Sequence, residues 1–186
     1  MHRTLSRLGL AGLMATGLSL GLMATTASAA TTTHATAGHP ATPLVAGEVV
    51  TLQNVYSGKC LDDYAFSNTA GNDMVQYHCD GLANQQWIVH IVPNTNFEVG
   101  SLENVYSHMC LDDYAFSTAD GNAMVQWPCD GLPNQEWHVA GGFVSNIFSH
   151  ELLDDYGFST ADGNVIRQYH YDGYNNQLWN INLVGL

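Results

Sequence analysis

The stretch CLDDYAF occupies residues 60–66 and recurs unchanged at residues 110–116, and the related LLDDYGF occupies residues 152–158. Aligned on these stretches, three segments of the chain match without a gap, the first being LQNVYSGKCLDDYAFSNTAGNDMVQYHCDGLANQQW. Each segment ends on Gln, one further residue and a tryptophan; the tryptophans are Trp87, Trp137 and Trp179. A unit that recurs in this way is one supersecondary element, so the pattern predicts a domain of three equivalent lobes.

Within each unit, short apolar runs alternate with turn-forming clusters. Runs such as MVQY and QWIVHIV are separated by ADGN and CDGL, in which Gly, Asp and Asn favour tight turns. No segment keeps a 3.6-residue apolar period over ten residues, so we predict an all-β domain of short strands. A β-propeller is the alternative, but propellers usually need about four to eight blades, and three would have to oligomerise.

The four cysteines form two pairs with the same spacing in the first two units. The pairs are Cys60 with Cys79 and Cys110 with Cys129. In the third unit both positions change together, to Leu152 and Tyr171. Loss of both members at once indicates a disulfide inside each of the first two units, in keeping with a secreted chain. Zinc bound by four thiolates is the alternative, but zinc sites normally place two ligands within about five residues.

The N-terminus has the layout of a cleavable secretory signal. Two arginines precede an apolar stretch and then Ala-Ser-Ala at residues 27–29, as such signals require. The following segment is rich in Thr, Ala and Pro and has no aromatic residue, so it lacks the apolar surface needed to order itself. The expected divisions are a signal peptide at 1–29, a linker at 30–46 and one domain at 47–186, with lobes at about 47–97, 98–142 and 143–186. We therefore expect a secreted, extracellular protein.

The chain is strongly acidic, with 17 Asp and Glu against 4 Lys and Arg and a formal net charge of −13. Such a field repels nucleic acid and anionic surfaces. Beyond the N-terminal signal, no run approaches the roughly 20 apolar residues that a membrane span needs. We therefore expect no nucleic-acid partner and no membrane insertion, and we expect a monomer.

The repeats combine LDD, a closing NQxW, and, in the first two units, a cysteine pair with an aromatic residue two positions before the second cysteine. In these features the chain resembles the ricin B-chain type of β-trefoil lectin, also described as the family 13 carbohydrate-binding modules. The resemblance covers about residues 47 to 184. It implies a β-trefoil, in which a six-stranded barrel is capped by three hairpins with pseudo-threefold symmetry, and it implies sugar binding.

The resemblance also implies a shallow sugar pocket in each lobe, formed by an Asp, an aromatic residue and an Asn, with a Gln behind them. The residues are Asp62, Tyr77, Asn84 and Gln85 in the first lobe, Asp112, Trp127, Asn134 and Gln135 in the second, and Asp154, Tyr169, Asn176 and Gln177 in the third. One departure is that the family often has Gln two residues before the aromatic, where this chain has Val75, Val125 and Arg167.

These residue types suit a sugar. A pyranose has an apolar C–H face that stacks on an aromatic ring, and a rim of hydroxyl groups that donate to a carboxylate. For the aromatic residues, the structural alternative is cross-strand packing, and we expect the QxW tryptophans to lie in the core. The adjacent acids, Asp63, Asp113 and Asp155, either cap turns or bind Ca²⁺, although the ligand spacing of an EF-hand is absent.

We therefore expect a secreted, non-catalytic lectin with up to three pockets that binds galactose-type or xylan-like glycans multivalently, without a metal or cofactor. A glycosidase is one alternative, because such enzymes use two carboxylates. Against it, the acids come in three equivalent copies, whereas a catalytic acid and base need different environments. The other alternative is a trefoil that binds protein, as an inhibitor or toxin component, with vestigial sugar pockets.

Overall fold

The computed structural model describes residues 45–95 and 98–185. The expected signal peptide and residues 30–44 of the expected linker lie outside this part. The strands are β1 Val49–Asn54, β2 Cys60–Asp63, β3 Met74–Tyr77, β4 Trp87–Ile91, β5 Val99–Asn104, β6 Cys110–Asp113, β7 Met124–Trp127, β8 Trp137–Ala140, β9 Phe143–Asn146, β10 Leu152–Asp155, β11 Asn164–Tyr169 and β12 Trp179–Leu183. Short 3-10 helices span Tyr64–Phe66, Ala83–Gln85, Tyr114–Phe116, Pro133–Gln135 and Asn175–Gln177. Over these described ranges, no helix has the length and apolar character required to cross a membrane.

Six strands form a closed barrel. Antiparallel pairing joins β12 to β1, β1 to β4, β4 to β5, β5 to β8 and β8 to β9. The ring closes where the backbone N–H of Trp179, at the start of β12, donates to the carbonyl of Gly142, next to β9. In β1 and β5 every second side chain is buried, as the two-residue period of a strand requires when one face lines a core.

The remaining strands form three hairpins, β2–β3, β6–β7 and β10–β11. Strand β3 pairs with β11, and single bridges join Asp73 to Val125 and Ala123 to Arg167. The hairpins therefore meet one another in a triangular cap. This architecture confirms the predicted all-β trefoil, and the propeller alternative is wrong.

The three QxW tryptophans fill the interior, where each is at most 1% exposed. Each indole N–H donates to a carbonyl in the first strand of its own hairpin: Trp87 to Leu61 at 3.4 Å, Trp137 to Leu111 at 3.1 Å and Trp179 to Leu153 at 2.9 Å. The tryptophans thus fasten each hairpin to the barrel. The prediction that they lie in the core is confirmed.

Three buried glutamines bind the lobes to one another. The side-chain N–H of Gln76, in the first lobe, donates to the carbonyls of Ser159 and Ala161 in the third at 2.7 and 3.1 Å. The same contacts join Gln126 to Ser67 and Thr69, and Gln168 to Ser117 and Ala119. Each hairpin is therefore bonded to the loop of the preceding lobe, and the three links form a ring.

Both predicted disulfides are present, between Cys60 and Cys79 and between Cys110 and Cys129. No free cysteine remains among the described residues, so the zinc alternative is wrong. In the third lobe the ring of Tyr171 instead packs edge-to-face against Phe143, with centroids 5.5 Å apart.

We predict that removing one bridge destabilises the protein markedly. The Cys110–Cys129 bridge joins residues 19 apart, and closing a loop of about this size stabilises a fold by roughly 3 kcal/mol in the chain-entropy model. Cys110→Ala/Cys129→Ala should therefore lower the free energy of unfolding by about this amount in urea titrations. An unchanged unfolding midpoint would contradict the prediction.

Candidate functional site

A pocket lies beside the hairpin of each lobe, with a volume of about 430 Å³ in the first lobe, 300 Å³ in the second and 230 Å³ in the third. The first is lined by Asp62, Tyr64, Ala65, Phe66, Tyr77, His78, Asp80 and Asn84. The second is lined by Asp112, Tyr114, Ala115, Phe116, Trp127, Asp130 and Asn134. The third is lined by Asp154, Tyr156, Gly157, Phe158, Tyr169, Asp172 and Asn176. The expected Asp, aromatic and Asn residues therefore converge in all three lobes.

A carboxylate held by side-chain amides forms the floor of each pocket. Strand β2 delivers Asp62, which is only 3% exposed, and its Oδ2 atom accepts hydrogen bonds from Asn84 and Gln85, both at 2.9 Å. In the second lobe, Asn134 and Gln135 donate to Asp112 at the same distances. In the third, Asn176 donates to Asp154 at 3.0 Å. The donors are presented by the short 3-10 helix before each QxW tryptophan.

The glutamines of the NQ pairs lie behind the floor. Gln85, Gln135 and Gln177 are completely buried and line none of these three pockets. The Gln85 side chain also donates to the carbonyl of His78 and accepts from the N–H of Asp80. These glutamines are therefore positioning residues, which fix the carboxylate and the turn that carries the second acid.

Burial raises the pKa of each floor carboxyl, to about 6 for Asp62 and Asp112 and to about 7 for Asp154. Desolvation is the main cause, since it penalises the charged form. The hydrogen bond from the neighbouring Gln opposes it and lowers the pKa, while a nearby acid such as Asp80 raises it further. The charge of the pocket floor therefore changes just below neutral pH.

Two aromatic rings form the pocket wall in the second and third lobes. Trp127 ends β7 and is 38% exposed, and its ring lies 6.2 Å from that of Tyr114 at an angle of 58°. Tyr169 and Tyr156 are arranged alike, 6.3 Å apart at 54°. Cross-strand packing alone does not account for these side chains, because both rings of each pair line a pocket.

Sequence reasoning did not assign several of the lining residues. They are the aromatic pairs at 64, 66, 114, 116, 156 and 158, the acids at 80, 130 and 172, and His78. The signal was present, because the YAF and CDG segments recur in phase with the Asp. Repetition marks a residue as shared by the lobes but does not say whether it faces the core, the solvent or a pocket.

The second acid of each LDD motif braces the loop that carries the pocket wall. Asp63 is completely buried, and its Oδ1 atom accepts from the Asn72 side chain at 2.7 Å, while the backbone N–H of Ser67 also bonds to its carboxylate. These contacts agree with the turn-capping interpretation. Burial raises the pKa of Asp63, Asp113 and Asp155 to about 6. In the described ranges, no three His, Cys, Asp or Glu residues are grouped so as to hold a metal ion.

A family model for the ricin-type β-trefoil lectin domain matches residues 48–179. The chain belongs to the ricin-type β-trefoil lectin family. No curated protein sequence matches this lectin-family chain. Membership of the family supports carbohydrate binding in general.

Solved structures similar to this lectin-family chain include ThreeFoil, a designed threefold symmetric protein, with 31% identity, a TM-score of 0.68, and coverage of 72% of this chain and 97% of that one. The exo-β-1,3-galactanase 1,3Gal43A from Clostridium thermocellum has the same identity and TM-score, over 74% of this chain but only 30% of the galactanase. The C-half of an earthworm R-type lectin in complex with GalNAc is 17% identical, with a TM-score of 0.59, over 73% of this chain and 98% of that one. At that identity the earthworm protein shows the shared fold alone.

We predict that mild acid stabilises the protein. The six buried LDD carboxyls have pKa values of about 6 to 7 when folded, against an ordinary value of 3.8. Between these values the folded protein holds protons that the unfolded chain has released, so stability rises as the pH falls from about 7 towards 4. The melting temperature should therefore increase from pH 8 to pH 5.

The matched variant is Asp63→Asn/Asp113→Asn/Asp155→Asn, which keeps an acceptor for Asn72 and its equivalents but removes three of the titrating groups. Its melting temperature should depend less on pH over the same range. A melting temperature that falls steadily between pH 7 and pH 5 in the parent protein would refute the assignment of raised pKa values.

Proposed function

We propose that the protein is a secreted, non-catalytic lectin that binds one sugar in each of three pockets and attaches multivalently to galactose-type or xylan-like glycans. The observation that carries the proposal is the buried carboxylate, fixed by two amides beneath an aromatic wall and repeated around the pseudo-threefold axis. We further propose a signal peptide at 1–29, a linker at 30–46 and the lectin domain at 47–186. The two disulfides support an oxidising, extracellular location.

The hydrogen bonds of the floor leave acceptors for sugar hydroxyls. Because both amides donate to Oδ2 of Asp62, its Oδ1 atom is left to accept from a ligand, and hydrogen bonds to a charged acceptor are about twice as strong as neutral ones. The Oδ1 atom of Asn84 is buried without a hydrogen-bond partner in the described part of the chain. An unsatisfied acceptor of this kind costs about 1–3 kcal/mol. Because it is buried, the acceptor left for a sugar hydroxyl is the Asp62 carboxylate.

The aromatic wall complements this polar floor. A pyranose whose hydroxyl edge points at Asp112 would lay its C–H face on Trp127, which presents a larger ring than Tyr77 or Tyr169. We therefore expect the second-lobe pocket to bind most tightly. Two of the similar structures bear names that refer to galactose-type sugars, a GalNAc complex and a β-1,3-galactanase, and they guide the choice of galactose as the first probe.

Three pockets on one domain suit an extended or clustered glycan. One shallow pocket is expected to bind a monosaccharide at around millimolar, or about −4 kcal/mol. Simultaneous engagement of several pockets raises the apparent affinity by about 10²- to 10⁴-fold without any new contact, provided that the glycan spans the sites. Binding to a polysaccharide or a glycosylated surface is therefore the expected biological mode.

Each pocket also contains a second carboxylate, such as Asp80, and a pair of carboxyls is what a glycosidase would need. In this chain, however, Oδ1 of Asp80 accepts from the N–H of Leu82 and so caps the CDG turn, as Asp130 and Asp172 do in theirs. This role accounts for the acid without catalysis. Release of nitrophenol from nitrophenyl galactosides or xylosides by the purified protein would overturn the non-catalytic part of the proposal.

We predict that Asp62→Asn, Asp112→Asn and Asp154→Asn each remove one pocket without unfolding the protein. Asparagine keeps an oxygen for the two amide donors but replaces the acceptor that faces the sugar with a donor. Binding to immobilised glycan should fall stepwise as the changes are combined, and Asp112→Asn should cause the largest single loss. Glu98→Gln is the matched control, because it removes one exposed charge that lies outside the three lobe pockets.

Circular dichroism of each variant is the check that it remains folded. A folded triple variant that binds like the parent protein would place the ligand elsewhere. An array of galactose- and xylose-containing glycans on which the parent protein has no ligand would favour the protein-binding alternative.

We also predict that the affinity for sugar decreases in mild acid, whereas the melting temperature is expected to increase. Because the pKa of Asp62 and Asp112 is about 6, these carboxyls are mostly charged at pH 7.5 and mostly protonated at pH 5. Protonation removes the charged acceptor, so the affinity for immobilised galactose should decrease severalfold between these values. Affinity that is constant or greater at pH 5, with the fold intact, would contradict a role for the carboxylates.

A further inference from the structure

An exposed aromatic pair crosses each boundary between lobes, directly beside a pocket. Phe116, which lines the second pocket, packs edge-to-face on Phe148 of the third lobe, with centroids 5.1 Å apart and planes at 87°. Phe66 and Tyr106 form the equivalent pair beside the first pocket, at 5.1 Å and 89°. Phe158 and Tyr56 form it beside the third, at 5.5 Å and 90°. In every case the second ring belongs to the next lobe around the axis.

The phenylalanines of these pairs adopt a backbone conformation that bulky residues rarely occupy. Their φ angles are 54° for Phe66, 55° for Phe116 and 56° for Phe158, in the left-handed region that normally favours Gly or Asn. The same strained residue type occurs in all three lobes. Strain that recurs with a large aromatic side chain is typical of a functional position rather than of ordinary packing.

The second ring of each pair is fixed to the floor of the adjacent pocket by a buried asparagine. The side chain of Asn146 donates to the main-chain carbonyl of the pocket residue Asn134 at 2.9 Å. Its Oδ1 atom accepts from the N–H of Phe148 at 2.9 Å and from that of Ser149 at 3.2 Å. Phe148 therefore has a defined position relative to a pocket that belongs to another lobe.

The other two lobes repeat this clamp. Asn104 joins the carbonyl of Asn84 to the N–H of Tyr106, and Asn54 joins the carbonyl of Asn176 to the N–H of Tyr56. All three clamping asparagines are at most 1% exposed. A buried amide that serves both a pocket and a neighbouring aromatic side chain holds the two in one rigid unit.

The rings themselves remain open to solvent. Phe116 is 41% exposed and Phe148 is 37% exposed, because a perpendicular pair covers only part of each ring. Flat apolar surface that continues from a polar pocket is what the C–H face of a further sugar unit requires. Phe116 belongs to both surfaces, so the pocket and the aromatic pair are continuous.

We propose that each pocket extends across its lobe boundary onto this aromatic pair, so that a second unit of an oligosaccharide stacks on an aromatic side chain of the next lobe. That side chain is Tyr106 for the first pocket, Phe148 for the second and Tyr56 for the third. The inference rests on the proposed function and adds that the preferred ligand is an oligosaccharide chain rather than a terminal single sugar. Each complete site is then built from two lobes.

The third lobe differs in one respect. There the ring of Tyr174 packs on Phe158, with centroids 5.3 Å apart, whereas Leu82 and Leu132 occupy the corresponding positions of the other lobes. The third site therefore offers three aromatic rings to a second sugar. It should gain the most from a longer ligand, although its pocket is the smallest.

The test isolates one pocket and varies the length of the ligand. In the background Asp62→Asn/Asp154→Asn only the second pocket remains, and affinities are measured by NMR titration for galactose, β-1,3-galactobiose, xylose and xylobiose. Whichever sugar type binds, galactose or xylose, its disaccharide should bind about fivefold more tightly than the monosaccharide, as expected for one added aromatic contact. Phe148→Ala should remove this gain and leave the monosaccharide affinity within about twofold.

Tyr171→Ala in the same background is the matched control, because Tyr171 is an exposed member of an edge-to-face pair with Phe143 but lines none of the pockets. It should keep the gain from the second sugar. Phe148→Leu, which preserves apolar bulk without a flat ring, should lose it. In the unmodified protein, the backbone amide signal of Phe148 should respond to the disaccharide and not to the monosaccharide.

The outcomes separate this inference from the proposed function. If monosaccharide and disaccharide bind equally, or if Phe148→Ala keeps the full gain, the second position is wrong and the single-sugar pocket stands. If no sugar of either series binds in the Asp112 pocket, the proposed function fails there and the inference fails with it.

Discussion

Buried side-chain amides hold this trefoil together at every junction. Across the cap, glutamines such as Gln76 bond the hairpin of one lobe to the loop of the preceding lobe. At the outer boundary, asparagines such as Asn146 bond the barrel turn of one lobe to the pocket of the preceding one. A buried amide left without partners is costly, so these contacts restrict the lobes to one relative arrangement. Each pocket is lined by a single lobe, so this arrangement determines which aromatic side chain of the next lobe lies beside it, as Phe148 does beside the second pocket.

The pocket floor combines two opposing effects. Burial penalises the charge of Asp112, whereas the hydrogen bonds from Asn134 and Gln135 favour it, and the net result is a raised pKa. The site therefore holds a carboxylate that is less stable as an anion than one on the surface. A hydrogen bond to its remaining oxygen would stabilise the charged form. Without such a bond, the buried charge lowers the stability of the folded protein. Protonation of this group therefore favours the folded state but removes a charged acceptor from the pocket floor.

Much of this molecule was predictable from its sequence because it is repeated. The three-lobed all-β domain, both disulfides and the core tryptophans follow from motifs that recur in phase. The trefoil and the pocket residues such as Asp62, Tyr77 and Asn84 were implied by the resemblance to the ricin-type lectins. The contacts between lobes did not follow, because alignment of the repeats matches Gln76 to Gln126 and does not reveal that Gln76 bonds to Ser159, 83 positions away. The buried role of Gln85 and the lining role of Phe66 likewise depend on side-chain direction.

The three sites have similar geometry, but the two lobes that form each site are not equally far apart along the chain. The first two join consecutive lobes, Phe66 to Tyr106 and Phe116 to Phe148. The third joins Phe158 to Tyr56, and it forms where β12 pairs with β1, along a register that includes Leu52 with Ile181. Contacts between such distant segments form late and slowly, since the entropy of closing the intervening chain must be overcome first. On a ribosome the first two sites are thus able to assemble as their lobes emerge, whereas the third has to wait for nearly the whole chain.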